Sequence, residues 1–129
     1  MEIHLPSEAA ALIRKTLSWD AEYARAVLMK GYEVLAVVDL GKGVDRHEVR
    51  ISPTDVFVPA LRMGANALIL SHSHPASPYP IASEEDIRLT ERYIRIGREL
   101  GIDIVDHIIL TERHMLSFKQ NGLLAVLKV

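Results

Sequence analysis

The run Ala67-Leu68-Ile69-Leu70 is purely apolar and bounded by polar residues, which marks a short buried strand. It delivers the chain into Ser71-His72-Ser73-His74-Pro75, a loop over residues 75–82 that holds three prolines, and then Ser83-Glu84-Glu85-Asp86. Successive side chains on a strand point to opposite faces, so His72 and His74 project from the same face. Two imidazoles placed that way form a clamp for a metal ion. Ser83 is the natural N-cap of the next helix, with Asp86 at the third helical position as a short-armed capping box. The Asp86 carboxylate then lies in the first helical turn, close to where the strand delivers the histidines.

Each half of this pattern has an ordinary explanation. A single histidine is most often a surface or satisfied core residue, and Ser-x-x-Asp before a helix is most often only a cap. The conjunction favours a site. His72, His74 and Asp86 supply three nitrogen and oxygen donors, the set a catalytic zinc takes from protein while leaving a fourth position for water. The chain has no cysteine, so disulfides, thiolate metal sites and a cysteine nucleophile are excluded, and a metal here must use histidine and carboxylate.

Other stretches supply the frame. Pro6-Ser7-Glu8 opens a first helix, capped by Ser7 or started by Pro6, with Ala9, Ala10, Leu12, Ile13 and Leu17 as its apolar stripe and Trp19-Asp20 at its end. Val27 to Met29 and Val34 to Val38 flank Gly31 as a hairpin, although residues 21–30 also suit a helix by propensity. Gly41-Lys42-Gly43 is a turn, without the length or the following Lys-Ser/Thr pair of a phosphate-binding loop. Residues 47–51 suggest a short strand. Ser52-Pro53-Thr54-Asp55 starts a second helix that Pro59 can bend and Gly64 ends. A third helix runs over Glu84–Leu100 to Gly101, its buried side drawn from Ile87, Leu89, Tyr93, Ile94, Ile96 and Leu100. Arg88, Arg92 and Arg95 share one side of it, diluted by Glu84, Glu85, Glu91 and Glu99 into a salt-bridged solvated face. Asp103–Leu110 is a strand, and residues 115–118 pair with it.

His72-x-His74-Pro75 followed by Ser83-x-x-Asp86 resembles the metal motif of the JAMM (JAB, MPN-plus) metallopeptidase family. The stretch Leu100-Gly101-Ile102-Asp103-Ile104-Val105-Asp106-His107-Ile108-Ile109-Leu110, with Ser117 and Gly122, is similar to the RadC branch in particular. Eight residues separate His74 from Ser83, one more than members usually carry. The resemblance covers nearly the whole chain and implies an α/β fold, a mixed β-sheet flanked by helices of the JAB/MPN (cytidine-deaminase-like) type. It also implies that residues 21–30 form a strand. It further implies Zn²⁺ on His72, His74 and Asp86, with Glu22 as the carboxylate that takes a proton from water and Ser83 as a donor to the developing oxyanion. Glu33, Glu48 and Asp39 compete with Glu22, with Asp39 next in order. His107 is expected to be a buried residue bonded to backbone or to a carboxylate, and His4, His47 and His114 surface residues.

The expectation is a single domain over residues 1–129, without the N-terminal helical segment that full-length RadC proteins add. The expected activity is zinc-dependent hydrolysis of a peptide or isopeptide bond, with a peptide or protein substrate. The second reading is a non-catalytic scaffold or DNA-repair accessory domain. A formal charge of −2 gives no general attraction to DNA or to an anionic membrane. A two-metal nuclease is disfavoured for want of a second carboxylate cluster. The start Met1-Glu2-Ile3-His4 has no basic region leading into an apolar run, and the longest apolar runs are too short to span a bilayer. These observations predict a cytoplasmic protein with no membrane partner, and exposed sheet edges are compatible with a homodimer.

Overall fold

The computed structural model describes residues 1–43 and 50–129. Helix α1, Pro6–Arg14, begins with Pro6 in the first helical position, where its missing N–H has no intrahelical partner to lose. Leu5, not Ser7, holds the cap position, and the Glu8 carboxylate accepts the N–H groups of His4 and Leu5. The helix stops well before Trp19-Asp20. Arg25, from the strand that follows, donates to the carbonyls of Ile13 and Thr16 and closes the helix end from outside.

Strands β1, Tyr23–Lys30, and β2, Glu33–Lys42, form the antiparallel hairpin. Packing, not propensity, decides the ambiguous segment, because Ala24 and Ala26 to Leu28 are all fully buried within the sheet. Helix α2, Pro53–Met63, starts after Ser52, whose hydroxyl pairs with Thr54 Oγ1 instead of capping the backbone. Of the strand expected over residues 47–51, the first three lie outside the described residues, and Arg50 and Ile51 belong to no named strand.

Strand β3, Ala67–Ser73, is buried at every position and carries the sheet as far as the first histidine of the motif. Helix α3, Glu84–Leu100, then crosses to β4, Asp103–Leu110, parallel to β3. Gly101 ends α3 in the left-handed conformation at φ 73°, which glycine adopts without a Cβ penalty. Strand β5, Met115–Ser117, pairs antiparallel with β4, and a short helix α4, Leu123–Leu127, for which the sequence carried no expectation, follows. The result is a mixed five-stranded sheet in the order β2-β1-β3-β4-β5 with flanking helices. No helix among the described residues is long and apolar enough to cross a membrane.

The two faces of the sheet hold two cores. Val27, Met29, Ile69, Ile108 and Leu110 pack with Ala9, Ala10 and Ile13 of α1. Ala26, Leu28, Leu68, Leu70, Ile104 and Ile109 pack with Val56 and Phe57 of α2 and Tyr93 and Ile94 of α3. Alternation along β3 therefore sends Leu68, Leu70 and His72 toward α3. On α3 the buried residues Asp86, Thr90, Tyr93, Ile94 and Gly97 recur at helical spacing, so the stripe that faces the core begins with Asp86. Leu100, expected on that side, is exposed. On the opposite side, Arg88 pairs with Glu84 and Arg95 with Glu91, each one turn apart and solvated, as expected.

One irregularity matters for the site. Between β3 and β4 the register runs Leu68 to Ile104 and then Ile69 to Asp106, leaving Val105 as an extra residue. After this bulge His107 pairs with Leu70 and shares its face of the sheet. A regular strand would have put Ile104 and His107 on opposite faces.

Candidate metal centre

The site lies where β3 ends, α3 begins and β1 starts. Ser83 and Asp86 form the expected reciprocal cap: the Asp86 N–H donates to Ser83 Oγ at 3.0 Å, and the Ser83 N–H donates to Asp86 Oδ2 at 2.9 Å. This fixes the carboxylate toward the histidines. Asp86 Oδ2 stands 3.4 Å from His74 Nε2, and Asp86 Oδ1 stands 3.8 Å from His72 Nδ1. His74 is held by its own N–H, which donates to the Leu110 carbonyl at 2.8 Å just past the end of β3.

Glu22 arrives from the other side. Its carbonyl accepts the Gly43 N–H, and the next residue, Tyr23, donates its N–H to Ser73 Oγ at 2.9 Å, which ties the start of β1 to the end of β3. Glu22 Oε1 lies 3.9 Å from His74 Nδ1. Thus Glu22, His74, Asp86 and His72, all singled out from sequence, converge, with Ser83 on the rim. Of the competing carboxylates, Glu33 pairs with Lys30 at the opposite end of the sheet, Asp39 is exposed and accepts the Gly41 N–H, and Glu48 lies outside the described residues.

Two further residues complete the cluster, and sequence reading had given neither a place in it. His107 is fully buried, with its ring over that of Phe118, but the hydrogen-bond partners of its ring nitrogens are neither backbone nor carboxylate. Its Nε2 is 2.8 Å from His72 Nδ1, and its Nδ1 is 2.5 Å from Thr90 Oγ1. Thr90 is one helical turn beyond Asp86, a spacing that could have flagged it; nothing local could have flagged the bulge that aims His107. Of the remaining histidines, His4 is exposed with its ring tilted against Tyr32, His114 is exposed and stacks on Tyr79, and His47 lies outside the described residues.

Burial and charge set the protonation states. Burial lowers His72 to about 4, against the pull of Asp86, and lowers His107 to about 3. Both rings are neutral at physiological pH, as ligation requires. Burial acts to raise Asp86, but His74, the neighbouring imidazoles and the Ser83 N–H outweigh it and hold the carboxyl well below the usual range. Glu22 is raised, by burial first and by the Asp86 and Glu85 charges, with His74 opposing. A carboxylate shifted upward is better matched to taking and returning a proton near neutral pH.

These residues fit a divalent ion. His72, Asp86 and His107 each offer a ligand atom, all within 4.8 Å of one another, and His74 Nε2 borders the same carboxylate. Imidazole nitrogen and carboxylate oxygen without thiolate suit zinc and related ions, and their donor set does not by itself identify the metal. A cleft of about 410 Å³ opens between the loop at Pro75 to Tyr79, which begins one residue after His74, and the β4–β5 turn at Thr111 to His114; its lining includes none of the candidate ligands.

Comparison with known proteins agrees with this architecture. A family model described as RadC-like JAB domain matches residues 3–123. A UPF0758 protein of Alkaliphilus metalliredigens is 32% identical over 124 residues, covering 95% of this chain and 53% of that protein. A UPF0758 protein of Desulforudis audaxviator is 37% identical over 123 residues, covering 94% and 53%. A third, from Halalkalibacterium halodurans, is 40% identical over 72 residues, covering 56% and 31%. The chain spans about half the length of the first two. It belongs to the RadC-like JAB domain family.

Proposed function

We propose that this chain is a zinc-dependent hydrolase of a peptide or isopeptide bond, with His72, His74 and Asp86 as the metal ligands and Glu22 as the general base. The observation that carries the proposal is the position of the His74 ring, with Nε2 3.4 Å from Asp86 and Nδ1 3.9 Å from Glu22. A base is thereby placed beside the donor set, from the residue just before β1. When bound, the ion supplies Lewis acidity to a water molecule and to the substrate carbonyl. Glu22 takes the proton that water releases as it attacks and returns it to the leaving nitrogen, so acid and amine products balance the water consumed.

Ser83 serves two ends without conflict. Its oxygen accepts the Asp86 N–H through a lone pair. The hydroxyl proton is left to donate to the substrate oxygen as negative charge gathers there. The cleft lined by Pro75, Tyr79 and His114, which begins one residue beyond His74, offers room for the substrate chain.

The experiment is turnover of peptide and isopeptide substrates by zinc-loaded protein, with Glu22→Gln as the paired variant. The expected result is a loss of about 10²–10⁴-fold in rate with zinc still bound at wild-type stoichiometry. Unchanged activity in the variant would overturn the role of Glu22. Zinc bound without turnover by the wild type would favour the scaffold or accessory reading, which salt-dependent binding to DNA would then examine.

A further inference from the structure

Thr90 Oγ1 lies 2.6 Å from the carbonyl oxygen of Asp86. Two oxygens that close need a proton between them, and the carbonyl has none to give, so the single proton of the hydroxyl is committed there. The same hydroxyl oxygen lies 2.5 Å from His107 Nδ1. With its proton spent it can only accept, so His107 Nδ1 carries the hydrogen. A fully buried imidazole whose ring partners are a hydroxyl and another imidazole has no anion bonded to it and is neutral. His107 Nε2 is then bare, and in the 2.8 Å bond to His72 Nδ1 it must be the acceptor. His72 therefore donates from Nδ1.

We infer that His107 and Thr90 are positioning residues: together they fix His72 in its Nδ1–H tautomer, which engages the nitrogen that stands 3.8 Å from Asp86 and leaves Nε2 as the one ring atom of His72 with a lone pair for a metal ion. This deepens the metal-site reading above and rests on it for its purpose, though not for its geometry. His107, although one of its ring nitrogens lies within 4.8 Å of ligand atoms of His72 and Asp86, is withdrawn from the ligand set in this arrangement, since both of its ring nitrogens are engaged within the protein. Two nitrogens sharing a tetrahedral zinc at about 2.0–2.1 Å each would stand about 3.3 Å apart. The observed 2.8 Å is instead the length of a shared proton. Metal-bound histidines commonly donate their second N–H to a carboxylate, carbonyl or water, and here another histidine, oriented by a threonine, takes that place.

The test reads the tautomer directly. Nitrogen-15 NMR of the His72 ring in metal-free protein near neutral pH should show Nδ1 protonated and Nε2 bare. His107→Ala and Thr90→Val should lose that bias. His107→Gln, whose amide offers one donor and one acceptor, should restore it and guard against a folding failure of the alanine variant. Zinc affinity by chelator competition should fall about 10–100-fold in His107→Ala, with one zinc per chain at saturation, and recover in His107→Gln. An Nε2–H tautomer of His72 in the wild type would overturn the inference. So would complete loss of zinc in His107→Gln with the His72 tautomer unchanged, which would make His107 a ligand. A wild-type protein with the expected tautomer that takes up no zinc would support the relay and sink the metal reading alone.

Discussion

Asp86 and Asp106 are both buried carboxylates, at 3% and 1% exposure, in the same small domain, and they are built for opposite purposes. Asp106 is bonded through both oxygens: it accepts the N–H groups of His107 and Lys119 and the Ser117 hydroxyl at 2.8, 3.0 and 2.5 Å. Asp86 accepts one backbone N–H, from Ser83, and its other close neighbours are imidazole nitrogens, His74 Nε2 at 3.4 Å and His72 Nδ1 at 3.8 Å. Burial raises Asp106 despite its donors, whereas the imidazole surroundings and the Ser83 N–H hold Asp86 down. Burial alone therefore does not mark a site. What distinguishes the two is the partners: Asp106 is bonded to backbone N–H groups and a hydroxyl, whereas Asp86 faces imidazole nitrogens that can themselves hold a metal. Asp106 ties β4 to the end of β5 and the residues just beyond it; Asp86 faces the imidazoles of the candidate metal centre.

The sharpest way to break this comparison is to remove each carboxylate. Asp106→Ala leaves three donors without their acceptor and should cost about 3–5 kcal/mol of stability by urea titration, with zinc uptake retained in the folded fraction. Asp86→Ala should cost only about 1 kcal/mol, the scale of a lost cap, and should abolish zinc uptake. The reverse pattern would mean that the roles are exchanged.

Acid titration of the metal-free protein probes the same polar cluster with a smaller effect. His72 and His107 sit near 4 and 3 in the folded state, below their ordinary 6.5, so the unfolded chain binds protons first as pH falls. Their contribution to stability is whole above about pH 6.5 and is lost as pH falls toward those lower values. Asp86, lowered, adds a further loss below about pH 4, whereas Asp106, raised, works in the opposite sense. His107→Gln should make the decline below pH 6.5 shallower than in wild type. An equal slope would show that His107 is not held neutral in the fold. The smallest expected effect is at the exposed pairs: Glu84→Ala, which breaks the solvated contact with Arg88, should change stability by less than about 0.5 kcal/mol. A larger change would mean that the outer face of α3 is more than a solvated surface.

Much of the centre was legible because its grammar is local. The His72 and His74 spacing, the reciprocal Ser83 and Asp86 cap and the stop at Gly101 each depend on a few consecutive residues. Glu22 was reachable only through resemblance, because what makes it special, the bond between Tyr23 N–H and Ser73 Oγ, joins residues 50 apart in sequence. The early end of α1 was missed for a similar reason, since a guanidinium from β1 takes the carbonyls there. Ser52 had the right identity for a cap, yet its hydroxyl found a nearer partner in Thr54.

The sequence by itself determined the strand that leads into the two histidines, the helix that presents Asp86 and the donor chemistry of a site without thiolate, because periodicity, capping and residue type act over one or two turns of chain. Only the tertiary structure decided that His107 joins His72. One extra residue at Val105 shifts the register of β4 and turns a core position toward the centre, and strand register is a property of two paired segments that neither encodes alone.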